Sequence, residues 1–83
     1  MATDTNSASA KKLDIHNCIR RLRFEHDEMT QAQLAQAVGV TRQTILALEA
    51  NKYTPSLDLA FRIARLFNKN LEEVFTYGEG DLS

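Results

Sequence analysis

The 83-residue sequence holds one cysteine, one proline and three glycines, and it has no long apolar run. With Cys18 alone, an intramolecular disulfide framework is excluded. No apolar stretch reaches the length of a membrane span or a signal-peptide core, so the chain reads as cytosolic, with no membrane partner. The three glycines are scattered and build no phosphate-cradling loop. His16, Cys18 and His26 are metal-ligand types, but on one helix they stand two and eight residues apart and do not converge. No metal or other cofactor is expected. No nucleophile, base and orienting acid stand together, and a chain this short supports one small core rather than an enzyme-sized cleft. Catalysis is not expected.

A net charge of −1 is low for a partner of nucleic acid, but the charge is unevenly spread. Between Lys11 and Lys69, ten Lys or Arg stand against six Asp or Glu. From Asn70 to Ser83 there are four acidic residues and no basic one, and Asp4 adds a fifth. The acidity lies in the tails, leaving a basic middle. Local charge facing a phosphate governs affinity, whereas mean charge governs solubility and steering.

The most informative stretch runs from Met29 to Asn51. Thr30 followed by Gln33 is a T-x-x-Q capping box, which starts a helix at Gln31. Leu34, Ala35 and Val38 follow at the spacing of one helical face, and Gly39 then supplies the left-handed residue that ends the helix. Val40 adds an apolar contact beyond the turn. Thr41 is a second N-cap, opening a helix that runs to about Ala50. On this third helix Ile45 and Leu48 share the side that must pack inward, while Gln43, Leu46, Ala47 and Ala50 point the other way. Arg42 lies on the flank and is long enough to reach round.

The remaining helices can be placed around this pair. Ile15, Ile19 and Leu22 predict a first helix from Asp14 to about His26, with Arg20, Arg21 and Arg23 mostly outward as a solvated face. Pro55 stops any extension of the third helix, and Ser56 caps a fourth over 57–68 with a core face of Leu59, Ala60, Ile63, Ala64, Leu66 and Phe67. Asp58 and Arg62 form an acid-first i,i+4 pair on its solvated side. Asn70 and Glu73 form another capping box for a short fifth helix through Val74 and Phe75. The expected fold is all-α, a compact five-helix domain over residues 13–77, with a mobile N-terminal arm over 1–12 and an acidic tail over 78–83.

These residues resemble the lambda-repressor-like, or XRE-type, helix-turn-helix transcriptional regulators. The resemblance rests on Gln31 opening helix 2, small Ala35 at the helix crossing, Gly39 at the turn, and Ile45 and Leu48 buried in the recognition helix. Glu49-Ala50-Asn51-Lys52 stands where the family usually has Glu-x-Gly-Lys or Glu-Asn-Gly-Lys, and the likeness covers roughly Asp14 to Tyr77. Two departures are visible: the segment Arg23 to Gln31 is one residue longer than in many members, and Asn51 replaces the commoner glycine. Asn tolerates that place because it too visits left-handed conformations.

The resemblance implies that helix 3 enters the major groove of double-stranded DNA with its first residues at base edges. Arg42 can then donate two hydrogen bonds to guanine, and Gln43 can pair with adenine. Leu46 and Ala47 suit thymine methyl groups, and Thr41 and Thr44 reach base edges or phosphate. Thr41, Arg42, Gln43, Leu46 and Ala47 are therefore the expected base readers. Gln31 at a helix start, Thr44, and Asn51, Lys52 and Tyr53 in the loop after helix 3 are the expected phosphate contacts. The resemblance also pairs Arg23 with Glu49 as a structural ion pair.

One recognition helix reads only about 4 to 6 base pairs, so a regulator of this kind is expected as a two-fold homodimer. Leu71, Val74, Phe75 and Tyr77 are the candidate dimer contacts, being many apolar groups for a short terminal helix; alternatively, Phe75 closes the core of the single chain. The expected function is sequence-specific regulation of transcription, as a repressor. Two alternatives stand beside it: an antitoxin that also represses its own operon and binds a toxin partner, and a protein-interaction module of the same fold without DNA binding.

Overall fold

A computed structural model of the chain describes residues 15–78. Within them lie a strand β1 (Ile15–Asn17), five helices α1 (Ile19–Glu25), α2 (Gln31–Val38), α3 (Arg42–Glu49), α4 (Leu57–Leu66) and α5 (Leu71–Val74), and a strand β2 (Phe75–Tyr77). The expected arm, Leu13, Asp14 and residues 79–83 lie outside the described residues.

Local chemistry sets the helix ends. The Gln33 N–H donates to Thr30 Oγ1 at 3.0 Å, and the Thr30 N–H donates to Gln33 Oε1 at 2.9 Å, a reciprocal box that satisfies two otherwise orphaned donors. Ser56 accepts from the Leu59 N–H, and Glu73 Oε1 accepts from the Asn70 N–H. Three helices end in the same way, on a residue of positive φ: Gly39 after α2, Asn51 after α3 and Asn68 after α4. In each case the next residue donates back one turn, Val40 to Ala35, Lys52 to Ala47 and Lys69 to Ala64, the Schellman pattern. The longer α1–α2 link is accommodated by two successive left-handed residues, Asp27 and Glu28, after which the Met29 N–H bonds to Arg23 O.

The core is formed by one face of each helix. Ile19, Leu34, Ile45, Leu48, Ile63 and Val74 are its fully buried large side chains. Burying a side chain of this size contributes roughly 1.5 to 3 kcal/mol. The exposed basic face of α4 also contributes to the fold: Arg62 pairs with Asp58 at 2.8 Å and donates at 3.0 Å to Val38 O, satisfying the end of α2 beside Gly39.

The all-α expectation is corrected at both ends of the described chain. Ile15–Asn17 is not the first turn of α1 but a strand, antiparallel to Phe75–Tyr77 with Ile15 opposite Tyr77 and Asn17 opposite Phe75. Asn17 Oδ1 accepts from the Ile19 N–H at 3.1 Å, and this bond sets the start of α1. Cys18 extends the pairing through its N–H to Val74 O. Phe75 leaves α5 with extended φ and ψ for the same reason. The 4-3 spacing of Ile15, Ile19 and Leu22 imitated a helical stripe because a strand residue can also lean on the core, where Ile15 is partly buried. Helix α4 ends at Leu66 rather than near Asn68, with Asn68 serving as the left-handed stop.

Candidate nucleic-acid interface

Helices α2 and α3 are joined through the turn at Gly39 and are held as one unit. Thr41 caps α3, its Oγ1 accepting from the Thr44 N–H at 3.3 Å and lying 3.1 Å from Thr44 Oγ1. Ile45 and Leu48 are wholly buried. The opposite face is open: Arg42, Gln43, Leu46 and Ala50 are exposed, and Ala47 is half-buried. The five expected base readers are thus brought together on the first two turns of one helix. No acidic side chain is ion-paired with Arg42 among the described residues.

Beneath this face is a half-buried polar lock. Arg23 Nε donates to Glu49 Oε2 at 2.6 Å and Arg23 Nη2 donates to Glu49 Oε1 at 3.0 Å, a fork-to-fork pair whose side chains are only 15% and 8% exposed. Arg23 Nη1 also donates to Met29 O at 2.7 Å, which ties in the α1–α2 link. Gln31 completes the group, its Nε2 donating to Glu49 Oε1 at 3.1 Å. One carboxylate therefore fixes the starts of α2 and the α1–α2 link to the end of α3. Arg23 is half-buried and structural, not part of a solvated face.

A second lock holds the exit of α3. Asn17 Nδ2 donates to Leu48 O at 2.9 Å and to Asn51 Oδ1 at 3.3 Å. With Asn17 oriented by these bonds and by Ile19, the Asn51 amide must present its oxygen to Asn17 and its nitrogen to His16, whose Nδ1 accepts at 3.1 Å. The terminal sheet is thereby bonded directly to the last turn of α3.

The expected phosphate contacts differ in how they are bonded. The side-chain amides of Gln31 and Asn51 are engaged, Gln31 Nε2 giving one of its two N–H donors to Glu49 and Asn51 Nδ2 giving one to His16 while its oxygen accepts from Asn17. Thr44 is half-buried beside Thr41, while Lys52 and Tyr53 are exposed in the loop after α3. The expected dimer contacts also separate. Val74 and Phe75 are buried in the core of their own chain, which favours the core reading for Phe75, whereas Leu71 is partly buried and Tyr77 is 77% exposed. Ile15, Leu57, Leu71 and Phe75 border an open apolar hollow beside Tyr77. Leu57 was missed because a residue just after an N-cap carries no spacing signal of its own. The metal-ligand types part company: His16 meets Asn51, Cys18 Sγ donates to Glu73 O, and His26 lies edge-on to Phe67.

Comparisons with known proteins agree with this architecture. The helix-turn-helix family model matches residues 19–74. An uncharacterized HTH-type transcriptional regulator of Archaeoglobus fulgidus is 48% identical over 64 residues, 77% of this chain and 90% of that protein. One from Methanocaldococcus jannaschii is 45% identical over 65 residues, covering 78% and 97% of the two chains. Among solved structures, a candidate DNA-binding protein from Bacteroides fragilis superposes with a TM-score of 0.64 at 27% identity, over 75% of this chain and 98% of that one. The transcriptional regulator VanUg shares the fold, with a TM-score of 0.62 at 18% identity over 86% and 93% of the two chains. The chain belongs to the lambda-repressor-like, XRE-type family of helix-turn-helix proteins.

Proposed function

We propose that this protein is a sequence-specific, double-stranded-DNA-binding transcriptional regulator, a cytoplasmic repressor that reads the major groove with α3. The observation that carries the reading is the asymmetry of α3: one face buries Ile45 and Leu48 completely, and the other presents Arg42, Gln43 and Leu46 to solvent. Such a helix is preorganised for a groove, because the Glu49 lock and the Thr41 cap fix its orientation before any DNA is met. Arg42 is suited to the O6 and N7 of guanine, Gln43 to the N6 and N7 of adenine, and Leu46 and Ala47 to a thymine methyl. Thr41 and Thr44 sit at the helix start, where they reach base edges or phosphate, and Lys52 and Tyr53 are the exposed candidates for the phosphates on the far side.

A second copy of the chain is the expected protein partner. The apolar hollow beside Tyr77, with Leu57 65% exposed at its rim, is the surface we assign to that contact in place of the buried Val74 and Phe75. Two-fold pairing would place two α3 helices about one turn of DNA apart. Selection of binding sites from random duplex DNA tests this: an inverted repeat is expected, a single short half-site argues against the dimer, and no enrichment at low salt argues against DNA reading altogether.

A further inference from the structure

The three arginines of α1 differ in their surroundings. Arg23 is committed to Glu49. Arg21 lies 3.7 Å from Glu25 on an exposed face. Arg20 is exposed and has no acidic side chain within ion-pair distance among the described residues. It lines a shallow cleft of 360 Å³ together with Arg23, Gln31, Leu46, Glu49 and Ala50. This cleft opens beside the outer face of α3, along its second half, where Leu46 and Ala50 are exposed. Within it Arg23 and Glu49 neutralise each other, and Gln31 has turned its amide onto Glu49. Arg20 is thus the one uncompensated charge lining the cleft.

When a recognition helix lies in the major groove with its N-terminal residues at base edges, its flanks face the sugar-phosphate backbones that border the groove. A cationic side chain standing on such a flank meets phosphate rather than base. We propose that Arg20 is a phosphate-contacting residue of the DNA interface, gripping the backbone alongside the second half of α3 and fixing the depth at which Arg42 and Gln43 are presented. The proposal rests on the DNA-reading function above. It adds a contact from a different helix, on the opposite side of α3 from its capped start.

A phosphate contact has a signature that a base contact or a structural residue lacks: it weakens all duplexes equally and removes one counterion from the salt dependence. Using the duplex that the wild-type protein selects from a random library, and a scrambled duplex of equal length, affinity is measured across a salt series for wild type, Arg20→Ala, Arg20→Lys and Arg21→Ala. Arg20→Ala is expected to reduce the slope of log affinity against log salt by about 0.9. Extrapolated from molar salt, that amounts to a loss of about eightfold at 0.1 M, the same for both duplexes. Arg20→Lys should keep the slope, and Arg21→Ala should match wild type. A slope unchanged in Arg20→Ala, or a loss confined to the selected duplex, overturns the proposal. A wild type that enriches and binds no duplex overturns the DNA reading itself, and the role of Arg20 with it. Thermal melting of each variant is expected at the wild-type temperature, since both arginines are exposed.

Discussion

Between Thr30 and Lys52 the structure is fixed by bonds that span three to five residues: Thr30 with Gln33, Ala35 with Val40, Thr41 with Thr44, Ala47 with Lys52. In the terminal sheet, by contrast, Ile15 meets Tyr77 from the other end of the described chain. The first region is built from local information and needs little loop closure; the second forms only when the rest of the domain has brought its strands together. The sheet is nevertheless not an appendage, because Asn17 and His16 reach from β1 to the last turn of α3 and to Asn51 just after it. Locally encoded helices still require non-local bonds to hold the angle at which they are used.

The largest expected effect comes from breaking the non-local lock inside the local region. Glu49→Ala leaves the Arg23 guanidinium, mostly withdrawn from water, without its partner. Loss of one member of a buried pair costs about 3 to 5 kcal/mol, and the partial exposure of Arg23 argues for the lower end. For a domain of this size that is a large part of total stability. Urea denaturation should show the midpoint falling steeply. A shift comparable to that of an exposed ion pair would mean that α2 and α3 hold their angle by apolar packing alone.

A smaller effect is expected where the two regions meet. Asn17→Ala removes the donor to Leu48 O and Asn51 and the acceptor for the Ile19 N–H. Leaving the Ile19 N–H without its acceptor and Leu48 O with only its backbone donors should cost about 2 kcal/mol. Tyr77→Ala, in the paired strand but exposed, should change stability by no more than about 0.5 kcal/mol. Equal losses from the two substitutions would reduce the sheet to simple strand pairing and remove the bond from β1 to α3 as a distinct contribution.

The same contrast explains what could be read in the residue order. Caps and stops are chemical signals confined to a few neighbours, so Thr30, Gly39, Thr41, Asn51, Ser56 and Asn70 gave their boundaries directly. Ile15 gave the wrong one. Its spacing fits a helix, and only its pairing with Tyr77 fixes it as a strand. At the candidate site, the identity of the exposed face of α3 followed from helical periodicity. The inward turn of Gln31 and Asn51 did not, because both amides answer to partners far along the chain, Glu49 for one and Asn17 with His16 for the other. Adjacency groups Arg20 with Arg21 and Arg23, and only the Glu25 and Glu49 partners of the other two and the cleft beside α3 separate the three.

Whether α3 reads sequence through its first turn, as proposed, is tested by the discrimination of the double variant Arg42→Ala, Gln43→Ala. Its affinity for the duplex selected by wild type and for a scrambled duplex would be compared at one salt concentration. Each bidentate contact carries about 1 to 3 kcal/mol of discrimination, so the double variant should lose at least about 2 kcal/mol of preference while remaining folded. A double variant that keeps the wild-type preference between the two duplexes would mean that Arg42 and Gln43 do not read the bases.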